Sequence, residues 1–235
     1  MLPPDLAFAQ YFNATSKAYV QNAPAYITYR ERTHIEASGP LVKASRDVNR
    51  SVALRQRDNV AIMKDLPDGA ETTGQAFPII PYFDPMSNFT FSYFVNLKAI
   101  NITIDRQDPP LLQLPQPDPS VDAVVYYLSF WHPAYDAGST ENAPRFRIEP
   151  VAPVAHQPYP AEVRIDAATG LPSFIDLRLA GDNFDVQLDY AVIAGHWIVT
   201  HGRMTSQQGP FHGVSETFYD QYAFPQTAPD PRLSG

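Results

Sequence analysis

The chain has 235 residues, with 24 Pro, 11 Gly and no Cys, a length that fits one large β domain or two small ones. Hydrophobic residues make up 44% and charged residues 18%, so there is apolar material for a core and the composition is not that of a disordered chain. The formal charge of −8, from 25 acidic and 17 basic residues, repels phosphate backbones and anionic lipid surfaces and argues against nucleic acid as a partner. The lack of Cys excludes disulfides, thiolate metal sites and cysteine nucleophiles.

The start Met1-Leu-Pro-Pro-Asp has no basic segment and no long apolar run, and no stretch approaches the about 20 apolar residues of a membrane-spanning helix. Two origins fit that start: a chain made without a leader, or a mature exported protein with an initiator Met. Residues 5–21 place Leu6, Phe8, Ala9, Phe12, Tyr19 and Val20 at helical spacing ahead of Pro24, which predicts an N-terminal helix. Strands are expected over 25–36, 42–57 and 60–64, with turns at Ser38-Gly39-Pro40 and Leu66-Pro67-Asp68-Gly69.

The middle is less regular. Asp84-Pro85 reads as a helix start, and Phe89, Tyr93 and Phe94 recur at helical spacing, so a short aromatic helix is expected near 84–96. Ile100, Ile102 and Ile104 alternate with polar residues as a half-buried strand does. Residues 108–120 (DPPLLQLPQPDPS) hold too many prolines for a central strand and read as a loop or flap carrying Leu111, Leu112 and Leu114. An apolar strand follows over 121–131.

From 145 to 222 the pattern is a meander. Strands over 145–148, 161–166, 173–179, 184–192, 196–206 and 211–222 are separated by turn signals at Thr169-Gly170, Gly181-Asp182-Asn183, Ala194-Gly195 and Gly209-Pro210, short enough for antiparallel neighbours. The Pro-rich tail 225–235 is expected to fray. The organisation expected is a single mainly β domain over 1–235.

The meander resembles the outer-membrane lipoprotein-carrier superfamily of the LolA and LolB type. The residues that carry the resemblance are 161–172 (AEVRIDAATGLP), 174–179 (FIDLRL), 184–190 (FDVQLDY) and 195–199 (GHWIV), with the N-terminal helix running into a strand near Tyr26. The resemblance implies a strongly curved, unclosed half-barrel with an N-terminal helix and a helix and loop lid. It also implies a periplasmic or extracytoplasmic location with the signal peptide removed, and a cavity for a lipid, a lipoprotein acyl chain or another apolar ligand. The lid would hold Phe89, Tyr93, Phe94, Leu111, Leu112 and Leu114. The inner face would carry Val125, Tyr127, Val163, Ile165, Ile175, Leu177, Phe184, Val186, Leu188, Ile198, Val214 and Phe218, each alternating with polar neighbours. A lipoprotein or another envelope protein would be a partner. In the carrier proteins an arginine holds the lid; Arg46, Arg50 and Arg55 all remain open for that role.

Alternation of this kind is also what any sheet core shows, so a structural or partner-binding β domain is the second reading. A hydrolase or metalloprotein is the third. It needs His201 and His212, which flank the 207–210 turn, to converge with an acidic residue; His196 lies at an odd offset from His201 and would face away. No nucleophile elbow, phosphate-binding loop or dinucleotide fingerprint occurs, so no catalytic residue, metal or cofactor is assigned. Ser215, Asp166, Asp176, Asp185 and Asp189 read as polar strand surface. The run Arg46, Arg50, Arg55, Arg57 reads as a solvated face.

Overall fold

The structure, a computed structural model, describes residues 1–75, 81–82, 131–151, 158–179 and 181–234. The aromatic helix near 84–96, the strand at 100–104, the Pro-rich loop at 108–120 and residues 121–130 lie outside them, and with them Val125, Tyr127 and all six lid residues.

Among the described residues the fold is mainly β. Helix α1 (Pro4–Gln21) is followed by β1 (Tyr26–Gly39), β2 (Val42–Arg55), β3 (Val60–Asp65), β4 (Glu71–Gln75), β5 (Trp131–Tyr135), β6 (Arg145–Pro150), β7 (Pro158–Ile165), β8 (Pro172–Leu179), β9 (Phe184–Ile193), β10 (His196–Gln208) and β11 (Phe211–Ala223). The sheet order is β4-β3-β2-β1-β11-β10-β9-β8-β7-β6-β5, with β4 and β5 at the two ends. Every neighbour in that order except β1–β11 is consecutive in the chain, so short turns suffice for nearly all the pairing. Among the described residues no pairing joins β4 to β5, so the order is unclosed. The turn glycines at 170, 181, 195 and 209 all take positive φ, which explains why the turn signals mark the strand ends so well.

By compactness the chain divides into two units, one containing 1–18 and the described residues of 131–185, the other 19–75, 81–82 and 186–234. In the first unit, α1 starts with Pro4 at its first position and Asp5 in its first turn, both favourable at a helix N-terminus. Phe8, Phe12 and Thr15 share its buried stripe. Phe8 meets Trp131 and Phe146 edge-on, at centroid distances of 6.4 and 5.5 Å, and Tyr135 stacks on Phe146 at 5.2 Å. Each buried aromatic of this kind removes enough apolar surface from water to be worth roughly 2–3 kcal/mol.

The second unit is built on the long hairpins β1–β2 and β10–β11, joined where β1 pairs with β11. That register runs from Thr28 opposite Ala223 to Ser38 opposite His212. Strand β4, which propensity did not reveal, pairs with β3 from Val60 opposite Gln75 to Lys64 opposite Glu71. Its sequence ETTGQ has no apolar alternation to betray it, and the pairing comes from the β3–β4 turn.

The tail, expected to fray, is fastened. Pro231–Leu233 forms a 3-10 turn whose N-cap, Asp230, accepts from the Arg232 amide, and Leu233 is fully buried. Arg55 Nη1 donates to the Leu233 carbonyl at 3.0 Å, and the Arg232 guanidinium pairs with Glu71 and Asp230. Proline prevented a strand here without preventing order.

Candidate binding face

In the first unit, the apolar residues of β6, β7 and β8 form one face. Phe146 lies opposite Val163 and Val163 opposite Ile175, with Leu177 opposite Pro160 and Ile165 opposite Pro172. All of them are buried. Strand alternation sends Glu162, Arg164, Phe174 and Arg178 to the other side, where Arg164 Nε donates to Glu162 at 2.6 Å and its guanidinium lies 4.2 Å from the Phe174 ring centroid. The face is thus apolar on one side only, and α1 covers part of it: Phe8 and Tyr11 both contact Phe146.

Asp176 overturns the surface reading. It is only 2% exposed, although it alternates with Ile175 and Leu177 as a surface residue would. Arg178 holds Oδ2 through two donors at 2.8 and 3.0 Å, while Oδ1 accepts no hydrogen bond. Burial pushes its carboxyl above the usual range against the pull of Arg178. Its environment favours the neutral form because the charge has lost water on one oxygen and gained a partner only on the other.

In the second unit, Val186 and Leu188 on β9 and Ile198 on β10 are buried, and Val214 is half-buried. Phe218 is 44% exposed and stands on the opposite side of β11 from Thr217 and Tyr219, which are buried. Phe184, which opens β9 in the first unit, is half-buried.

The buried face here runs across β1, β2 and β3, strands that were expected but supplied none of the expected inner-face residues. Ile27 and Tyr29 on β1 lie opposite Leu54 and Val52 on β2, Leu54 lies opposite Ala61, and Tyr219 packs on Tyr29 at 5.7 Å between centroids. The alternation that marks them, Ile27 and Tyr29 between Thr28 and Arg30, was present in the sequence. Burial raises the phenols of Tyr29 and Tyr219 well above the usual value, with the nearby Glu31 carboxylate adding to the effect.

Farther along the same face the character changes from apolar to polar. Glu31 is 4% exposed and Thr33 5%. Thr33 Oγ1 donates to Glu31 Oε1 at 3.1 Å and lies 3.0 Å from Thr217 Oγ1. A hydroxyl carries one proton, so Thr217 must donate to Thr33. Arg50 Nη1 is 4.0 Å from Glu31, and Arg50 Nε donates to Asp65 at 2.9 Å. Burial raises the Glu31 carboxyl above its usual range, opposed by Arg50 and by the Thr33 hydroxyl. Ser215, read as strand surface, belongs to this buried polar band.

The arginines are therefore not one solvated run. Arg46 and Arg57 are exposed, Arg50 reaches toward the buried band, and Arg55 grips Asp58 with two donors as well as the tail.

The histidine convergence fails. Gln207, not His201, stands opposite His212, while His201 stands opposite Phe218; six strand positions separate the two rows, about 20 Å. His201 instead sits between two carboxylates, with Nδ1 2.7 Å from Asp189 and Nε2 3.1 Å from Glu216, and stacks on Phe218 at 4.6 Å. His34 repeats the arrangement with Asp47 and Glu36, at 2.6 and 3.2 Å. Each imidazole separates carboxylates rather than joining them at one point. Among the described residues no group of three or more His, Asp or Glu is placed to hold a metal ion, and no helix is long and apolar enough to cross a membrane.

No protein-family model matches the sequence, and no curated protein does. Solved structures do. One is a LolA superfamily protein from Nitrosomonas europaea, 11% identical, with a TM-score of 0.41 over 96% of this chain and 97% of that one. A second is a putative outer membrane lipoprotein-sorting protein domain from Vibrio parahaemolyticus, 12% identical, with a TM-score of 0.40 over 95% of each chain. A third is a DUF1329 family protein from Desulfovibrio piger, 8% identical, with a TM-score of 0.36 over 92% of each. The first two are a LolA superfamily protein and a lipoprotein-sorting domain, and the chain is similar to both along most of its length.

Proposed function

We propose that this protein is a non-enzymatic carrier-type binding domain that holds a lipid, a lipoprotein acyl chain or another apolar ligand against the apolar face of its unclosed sheet, in the periplasm or another extracytoplasmic space. The observation that carries the reading is the one-sided face of β6, β7 and β8. Val163, Ile175 and Leu177 stand in register on one side while charged residues occupy the other. A hydrocarbon chain laid against such a face leaves water at roughly 25 cal/mol per Å², and no covalent step is needed. Val163, Ile165, Ile175 and Leu177 are the contacts this reading assigns. The LolA-type pattern of residues 161–199 supports the same assignment.

The test is purification without detergent, followed by mass spectrometry of an organic extract and titration of the delipidated protein with a fluorescent fatty acid. A stoichiometric lipid, and saturable binding weakened by Ile175→Asn, are expected. A folded protein that yields no lipid and does not bind the fatty acid would sink the reading.

One observation favours the second reading, a structural or partner-binding domain. Phe8 and Tyr11 of α1 already occupy the Phe146 end of the face, and a face filled along its whole length by side chains would leave no room for a ligand.

A further inference from the structure

The distal ends of the β1–β2 and β10–β11 hairpins differ from the rest of the second unit. Along 34–38 and 43–47, and again along 207–212, successive side chains are exposed. A strand whose odd and even positions are both exposed has neither face packed. At the tip, Leu41 is 97% exposed and Phe211 57%.

The two tips form one surface. Ser38 lies opposite His212 across β1 and β11, and the Phe211 ring lies across Gly39, where an added Cβ would stand 2.6 Å from a ring carbon. The missing side chain at 39 is what lets the ring of one hairpin rest on the backbone of the other. Leu41 and Phe211 are thereby presented together.

Charge singles out the same place. The outermost residues, 37–45 (ASGPLVKAS) and 205–213 (TSQQGPFHG), contain no Asp or Glu in a chain that has 25 of them and carry Lys43 and His212, while the exposed carboxylates Glu36 and Asp47 stand farther back along the β1–β2 hairpin. We infer that the paired tips of the β1–β2 and β10–β11 hairpins are a membrane-surface contact that sets Leu41 and Phe211 into the interfacial layer of a lipid bilayer with Lys43 at the headgroups.

A protein partner fits less well. A stable protein interface takes about 800 Å² from each side, whereas two apolar side chains supply no more than roughly 400 Å². An interfacial layer accepts single apolar side chains one by one, adds attraction for each lysine near an anionic surface, and lets the lysine stem lie along the apolar boundary. The acid-free tip approaches such a surface with the least repulsion that a chain of charge −8 can offer. The inference stands apart from the carrier reading, since a domain without an internal ligand could use the same tip.

The test is co-sedimentation of the full chain with vesicles of phosphatidylcholine containing phosphatidylglycerol, for the natural protein and for Leu41→Asp with Phe211→Asp. Both positions are exposed, and an unchanged melting temperature confirms that the variant folds. The natural protein is expected to partition to the vesicles, and the double variant to do so at least tenfold less. Lys43→Glu is expected to weaken binding to the mixed vesicles more than to pure phosphatidylcholine. Failure of the natural protein to bind, or equal binding by the double variant, overturns the inference. So does self-association of the natural protein in sedimentation velocity that the double variant abolishes, since the tip would then be a contact between two copies.

Discussion

Glu31 and Arg50 face each other directly across the β1–β2 ladder, yet the short bond of the guanidinium goes to Asp65, at 2.9 Å against 4.0 Å to Glu31. The buried carboxylate is left with Thr33 as its close donor. Its folded value is raised above the usual 4.5, so between the two values the native state binds more protons than the unfolded chain. Its contribution is complete below the ordinary glutamate value and is lost as pH rises through the raised one. Glu31→Gln is expected to flatten that part of the stability profile, read from urea midpoints between pH 4 and 8. Arg50→Met removes the countercharge and should cost about 2–3 kcal/mol near neutral pH. Combined with Glu31→Gln it should cost much less, and simple additivity of the two would refute the coupling.

His34 is bracketed by Asp47 and Glu36, and its value is raised from 6.5, first by the bond to Asp47 and then by that to Glu36. A raised histidine contributes below its unfolded value and loses that contribution as pH rises through the folded one. The imidazole resonances of His34 should therefore titrate above 6.5, and Asp47→Asn should move the midpoint down more than Glu36→Gln does. The reverse order would show that the Asp47 contact does not persist in solution.

Leu233 is fully buried beside the carbonyl that receives Arg55. Leu233→Ala should cost about 2–4 kcal/mol, as large-to-small changes at closed sites do. A change below about 0.5 kcal/mol in the chemical denaturation curve would mean that the tail does not pack as described.

Asp176 tests buried charge in the other unit. Its carboxyl is raised from 3.8 by burial, so the ionised form at pH 7 is a liability that Asp176→Asn removes. The variant should be at least as stable as the natural protein at pH 7, with any gain shrinking as pH falls through the raised value. Arg178→Ala, which leaves the carboxylate with no countercharge, should cost about 2 kcal/mol. A destabilising Asp176→Asn combined with a harmless Arg178→Ala would reverse the assignment.

Sequence reading worked where the information is local. The start of α1 at Pro4-Asp5, its end before Pro24 and the turns at Gly170, Gly181, Gly195 and Gly209 are set by residues that only certain backbone angles suit. It failed at β4, whose ETTGQ has no period, and at the tail, where a proline-rich composition hid a buried leucine and a gripping arginine. Within the apolar face of β6, β7 and β8, Val163, Ile175 and Leu177 were visible from alternation. The buried state of Asp176 was not, because alternation names the side a residue points to and says nothing of what covers it.

The same limit decided the histidines and the far ends of the chain. Their places on either side of one turn suggested that His201 and His212 would meet, but pairing across a hairpin joins positions at equal distance from the turn's centre; His201 lies six residues before Gln207 and His212 two after Pro210, so His212 goes to Gln207. The hydroxyl pair Thr33 and Thr217, 184 residues apart, exists because β1 lies beside β11. The sequence by itself determined the helix, most of the strands and the tight turns, since these follow from backbone preference and from side-chain period over a few residues. Only the tertiary structure decided that the first strand pairs with the last, that Glu31 and Asp176 lose their water, and that Phe211 rests on Gly39. Each depends on which distant strands become neighbours, and local preference carries no record of that.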